Sequence, residues 1–127
     1  MKIVIVEKSP IVRQSLKKLL SNVEGVGIPG QADNWVSAVE SIATHRPDVV
    51  LLGISIPPMN SLDVLANAVT LNPKSTFIVL TDHVDKQTEG ECRRRGAKYF
   101  FDKNNDIELL LETLRSLQRT SPQAKRI

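Results

Sequence analysis

Five side chains that can do chemistry stand at the ends of apolar runs. Glu7 and Lys8 follow Lys2–Val6, Thr81 and Asp82 follow the run that ends at Leu80, and Lys103 comes shortly after the aromatic run Tyr99-Phe100-Phe101. Two carboxylates, a hydroxyl and two ammonium groups gathered in one place could hold a phosphoryl group or a metal ion. In an open α/β sheet the carboxyl ends of the strands share one edge, and ligands bind beyond it. Such an edge also collects polar side chains simply because its loops are exposed, and placement alone favours that plainer reading. One more residue belongs to the edge: the run Val49–Leu52 ends on Gly53, which brings no side chain to it.

The elements that must position these residues are legible from periodicity. Val49-Val50-Leu51-Leu52 is a continuous aliphatic run, too short for an ordinary helix and bounded by Arg46-Pro47 and Pro57-Pro58. It reads as a strand buried on both faces, as in a parallel sheet covered by helices. The spacing predicts four more strands: Lys2 to Val6, Val26 to Ala32, Thr76 to Leu80, and Ala97 to Phe101. The second, broken by Gly27, Pro29 and Gly30, belongs at a sheet edge, because proline cannot donate to a ladder. Five helices alternate with them. Ser9-Pro10 is a start signal for the first, whose Val12, Leu16, Leu19, Leu20 and Val23 share a face up to the stop at Glu24-Gly25. Asp33 or Asn34 caps the second, Ser61 the third and Asp85 the fourth, which Gly90 interrupts and Gly96 closes. Asn105 with Glu108 resembles a capping box for the fifth, with Ile107, Leu110, Leu111, Leu114 and Leu117 inward. Five β-α units with right-handed crossovers make an α/β three-layer sandwich. Residues 1–119 read as one domain and 120–127 as a flexible tail.

Bulk properties exclude several classes. The chain has 127 residues, 41% of them hydrophobic and 24% charged, enough for one globular domain with a core of its own. A single cysteine, Cys92, allows no intrachain disulfide, and its setting suggests an inert rather than a redox role. No apolar run approaches the ~18 to 20 residues that span a bilayer, and the N-terminus lacks a signal-peptide pattern, so a cytoplasmic protein is expected. The net charge of +3 invites a nucleic-acid reading through Arg93, Arg94 and Arg95. No aromatic residues interleave with these arginines, and so modest an excess reads more simply as a solvated face. His45 and His83 lack metal-ligand spacing. Ser9 and Ser55 lack the histidine and acid of a hydrolase triad, and no glycine-rich loop is present to cradle a nucleotide.

Four segments carry a resemblance that spans the chain to about Arg119. They are I-V-I-V-E-K-S-P-I-V-R-Q-S-L-K-K-L-L, R-P-D-V-V-L-L-G-I-S-I-P-P-M-N-S-L-D-V-L, F-I-V-L-T-D-H and G-A-K-Y-F-F-D-K. In this order they resemble the response-regulator receiver domain of bacterial two-component signalling. The resemblance implies a flavodoxin-like (βα)5 sandwich with a parallel five-stranded sheet of order 2-1-3-4-5.

It also implies roles, several of them unfilled. Receivers carry two acids after the first strand, which hold magnesium together with a phosphoacceptor aspartate after the third. The matching residues are Glu7 and Lys8, and at the acceptor position Gly53, so the pocket is degenerate. Thr81 matches the family's hydroxyl, Lys103 its lysine and Phe100 its switching aromatic. Asp82 stands where a small residue usually admits the phosphoryl group, and Ser61, beside Asn60, stands where a glycine is expected. Glu7 gives these positions one negative charge and Lys8 and Lys103 one positive each, an excess that Asp82 only cancels, whereas a divalent cation needs carboxylate oxygens. No magnesium site, no cofactor and no catalysis are expected. Instead, Lys8 or Lys103 should pair with Glu7 or Asp82, and the domain should hold one fixed signalling state.

The function these features imply is a phosphorylation-independent protein-interaction module that, with no output domain after the fifth helix, signals through a partner. A histidine kinase or a separate output protein would fit that role. Helix 4, strand 5 and helix 5, marked by Arg93, Arg94, Arg95, Lys98 and Tyr99, form a possible interaction or homodimer face, or simply a solvated one. Neither nucleic acid nor membrane is expected as a partner. Two alternatives are phosphorylation at Asp82 or Glu7, and nucleic-acid binding through the basic patch.

Overall fold

A computed structural model describes residues 1–53, 61–82 and 84–120. Strands and helices alternate: β1 (Lys2–Val6), α1 (Pro10–Leu20), β2 (Gly27–Ala32), α2 (Trp35–His45), β3 (Val49–Gly53), α3 (Ser61–Leu71), β4 (Thr76–Thr81), α4 (Lys86–Arg94), β5 (Tyr99–Asp102) and α5 (Ile107–Thr120). The strands pair in parallel, in the order β2-β1-β3-β4-β5, the flavodoxin-like order that the resemblance implies. Ser55, Asn60, His83 and residues 121–127 lie outside the described residues. α5 extends through Thr120, one residue into the stretch read as a tail.

Alternation along each strand divides the core in two. Val4, Val6, Val50, Leu52, Phe77, Val79 and Phe100 pack with residues of α2, α3 and α4 on one face. Ile3, Ile5, Val49, Leu51, Ile78 and Leu80 pack with Leu16 and Leu20 of α1 and Leu110, Leu111 and Leu114 of α5 on the other. Every residue of β3 is buried, which is why its sequence runs apolar without alternating. Truncating one of these leucines to alanine costs about 2–5 kcal/mol in a close-packed core. β2 pairs with β1 alone and slips register between Lys2 and Val4, so Pro29 sits at the sheet edge as its missing N–H requires.

Helix ends follow local chemistry, with some departures from expectation. Ser9 Oγ accepts the Val12 N–H at the start of α1, and Asp85 accepts that of Thr88 at the start of α4. Asn34 rather than Asp33 caps α2, accepting the Ser37 N–H at 2.9 Å. α4 runs through Gly90 unbroken, and Gly96 follows it with φ +110. α3 begins at Ser61. Asn105 does not cap α5: its side chain turns back to Asp102, and the helix begins only at Ile107. Asp106 occupies the turn before it, accepting the Asp102 N–H at 2.8 Å. α1 ends at Leu20, short of Glu24-Gly25, because the next residues form tight turns.

Candidate functional site

Register decides which side chains meet. Val6 is opposite Leu52, so Glu7 and Gly53 come next to each other as their strands end. Thr81 is opposite Asp102, and the Lys103 N–H donates to the Thr81 carbonyl at 2.8 Å. Odd-numbered residues of β1, β3 and β5 face α1 and α5, as Ile5, Leu51 and Phe101 do. The same parity places Glu7, Gly53 and Lys103 on that face. Thr81 continues the other face with Val79, opposite which Phe100 pairs and lies buried.

At the centre, Lys103 Nζ donates to Glu7 Oε1 at 2.6 Å, and the Ser9 N–H donates to Glu7 Oε2 at 2.9 Å. The Glu7 side chain is 6% exposed and that of Lys103 24%. A buried carboxylate needs such partners, since it cannot take them from water. This is the ion pair that the charge count called for. Lys8 and Asp82 are exposed, Thr81 is buried, and all five residues line one depression of about 280 Å³.

Gly53 is part of the same arrangement in a way the sequence reading missed. A Cβ built on it would lie 2.6 Å from Glu7 Oε1 and 3.3 Å from Glu7 Cδ. The glutamate that follows β1 therefore reaches into the space a side chain on β3 would fill. The available signal was the conjunction of a long acid after the first strand with a glycine after the third.

A divalent cation would find little here. The one carboxylate at the matched positions already has both oxygens engaged, and Lys8 supplies an ammonium group where a second acid would stand. Among the described residues no group of three or more His, Cys, Asp or Glu side chains could hold a metal.

Of the residues marked around α4 and β5, the structure joins Arg93 to Lys98, while Tyr99 turns to Phe101. Arg93 pairs with Glu89 at 3.1 Å and donates to the Lys98 carbonyl, while Arg94 and Arg95 both pair with Glu91. These hydrogen bonds from two arginines hold the Glu91 carboxyl below its usual range. Tyr99 stacks on Phe101 with ring centroids 6.0 Å apart, under α5. Cys92 is fully buried, and burial pushes its thiol up. His45 packs against Gly30, where a Cβ would clash with Ser41 and His45.

Residues 3–115 match the model of the response regulator receiver domain, and the chain belongs to that family. It is 29% identical over 113 residues to the uncharacterized transcriptional regulatory protein YhcZ of Bacillus subtilis, covering 89% of this chain and 53% of the relative. To the chemotaxis protein CheY of Thermotoga maritima it is 26% identical over 118 residues, covering 93% and 98%. The response regulator domain of Thermotoga maritima CheB superposes with a TM-score of 0.83 at 21% identity, covering 96% of this chain and 98% of that one. The chain spans about half the length of the transcriptional and oxygen regulators it matches. It is thus a receiver domain of two-component signalling. None of the described helices is long and apolar enough to cross a membrane.

Proposed function

We propose that this receiver is degenerate: it transmits through protein contact without being phosphorylated and without magnesium. The observation that carries this reading is Gly53. No nucleophile stands at the acceptor position, and the neighbouring carboxylate of Glu7 is committed to Lys103 and Ser9. In-line phosphoryl transfer needs a free attacking oxygen and cationic stabilisation of the transferring group. Glu7, the one acid at the matched positions, offers the first poorly and, engaged at both oxygens, holds a cation for the second poorly.

Without a phosphoryl group no ligand distinguishes two conformations, so the equilibrium stays where the sequence sets it. Phe100 is 7% exposed and packs among the residues under α3 and α4, which supports a fixed state with the aromatic inward. Output through a protein, such as a histidine kinase or a separate effector in the cytoplasm, fits better than output through nucleic acid. Arg93, Arg94 and Arg95 are each engaged with Glu89 or Glu91, which lowers the charge they offer to a phosphate backbone. The α4-β5-α5 face is the proposed contact surface, for a partner or for a second copy.

The test is an NMR titration of the protein with beryllofluoride and magnesium. Resonances of Thr81 and Phe100 are expected to stay in place. A shift centred on those two residues would show a switchable receiver and overturn the reading.

A further inference from the structure

We infer that Glu7 is a built-in occupant of the side-chain site that Gly53 leaves open, and that it latches the pocket from within. Glu7 and Gly53 are then interdependent: the vacancy on β3 admits the carboxylate that follows β1, and the carboxylate holds Lys103 only while the vacancy lasts. The inference rests on the proposed fixed pocket and names what fixes it.

Three observations converge on the latch. The distance of 2.6 Å from Glu7 Oε1 to a Cβ on residue 53 is shorter than any such contact can be, so even alanine requires something to move. The other near atom, the Val6 carbonyl oxygen at 3.6 Å, is in ordinary contact, so the conflict is with the glutamate alone. A flexible side chain could usually step aside, but this one is held at both oxygens, by Lys103 and by the Ser9 N–H. Leaving would strand a carboxylate that is 6% exposed, or force it through the rim towards water.

The contacts also explain what the latch joins. Ser9 caps α1, Lys103 follows β5 and is tied by its N–H to Thr81 on β4, and Gly53 ends β3. One carboxylate thus connects the strand ends that a receiver pocket comprises. An internal ammonium–carboxylate pair takes the place of an external ligand.

The test reads how readily Lys103 is acetylated by a brief pulse of an amine-reactive ester, with exposed Lys8 as the internal reference and peptide mass spectrometry as the readout. In the wild-type protein Lys103 is expected to label several-fold more slowly than Lys8. Gly53→Ala should raise Lys103 labelling to the level of Glu7→Ala, and in a Glu7→Ala background Gly53→Ala should add nothing. Should Gly53→Ala unfold the domain, all lysines will label together. The double variant Glu7→Ala/Gly53→Ala must then fold, because the conflicting side chain has been removed. Lys103 protection unchanged in Gly53→Ala, additive effects of the two substitutions, or a double variant that stays unfolded would each overturn the latch. Neither phosphodonor nor partner enters, so this result and that of the beryllofluoride titration can fail separately.

Discussion

Glu7 and Lys103, 96 residues apart in sequence, meet at 2.6 Å across the end of β3, over a residue that has no side chain. The two partners are unequally buried, the Glu7 side chain nearly enclosed and that of Lys103 about a quarter exposed. That inequality gives the pair an asymmetric response to mutation.

Lys103→Met strands a buried carboxylate and is expected to cost about 3 kcal/mol of stability. Glu7→Gln leaves a neutral acceptor for the Ser9 N–H and lets the lysine turn to water, costing about 1–2 kcal/mol. Urea denaturation of the two variants checks the order. Equal losses would mean that Lys103 is as confined as Glu7.

Gly53→Asp should not turn the domain into an efficient phosphoacceptor. The new side chain would collide with Glu7 and, once displaced, would meet Lys8 or Lys103 instead of a cation. Combining it with Glu7→Asp, Lys8→Asp and Asp82→Ala shortens the obstructing acid, restores a second one and clears the approach. Phosphate-affinity gels with and without a chelator should then show magnesium-dependent labelling in the combined variant only.

Glu91 links stability to pH. Its carboxyl is held below the usual range by hydrogen bonds from Arg94 and then Arg95. A depressed acid contributes stability above its unfolded value, and that contribution is lost as pH falls through the folded value. Amide protection in α4 should therefore weaken on acidification below the normal glutamate range. Glu91→Gln should remove that part of the dependence, as hydrogen exchange at a series of pH values would show.

Cys92 should resist thiol reagents in the native protein. It is fully buried on the inner side of α4, and desolvation disfavours its thiolate. Modification by an aromatic disulfide should proceed at the rate of unfolding and accelerate in denaturant. Fast stoichiometric reaction without denaturant would show that α4 opens readily.

Much of this was legible beforehand because its causes are local. The buried run Val49–Leu52, the Ser9-Pro10 start and Gly96 after α4 each follow from chain stiffness, capping or apolar period, and the structure has them. Asn105 misled because two acids, Asp102 and Asp106, compete for the hydrogen bonds of that turn. The charge count required a pair in the pocket and left open which one. What Gly53 is for was not legible, since the contact joins β1 to β3 through register and depends on the reach of one side chain. The arginine cluster reads in sequence as a solvated face, and the structure adds its i,i+4 and i,i+3 pairing to Glu89 and Glu91.

The most direct test of phosphorylation-independence is intact-mass spectrometry of the wild-type domain after incubation with acetyl phosphate and magnesium. The expected result is an unchanged mass, with the Glu7–Lys103 pair undisturbed. A gain of one phosphoryl group, mapped to Glu7, Asp82 or any other carboxylate, would contradict it.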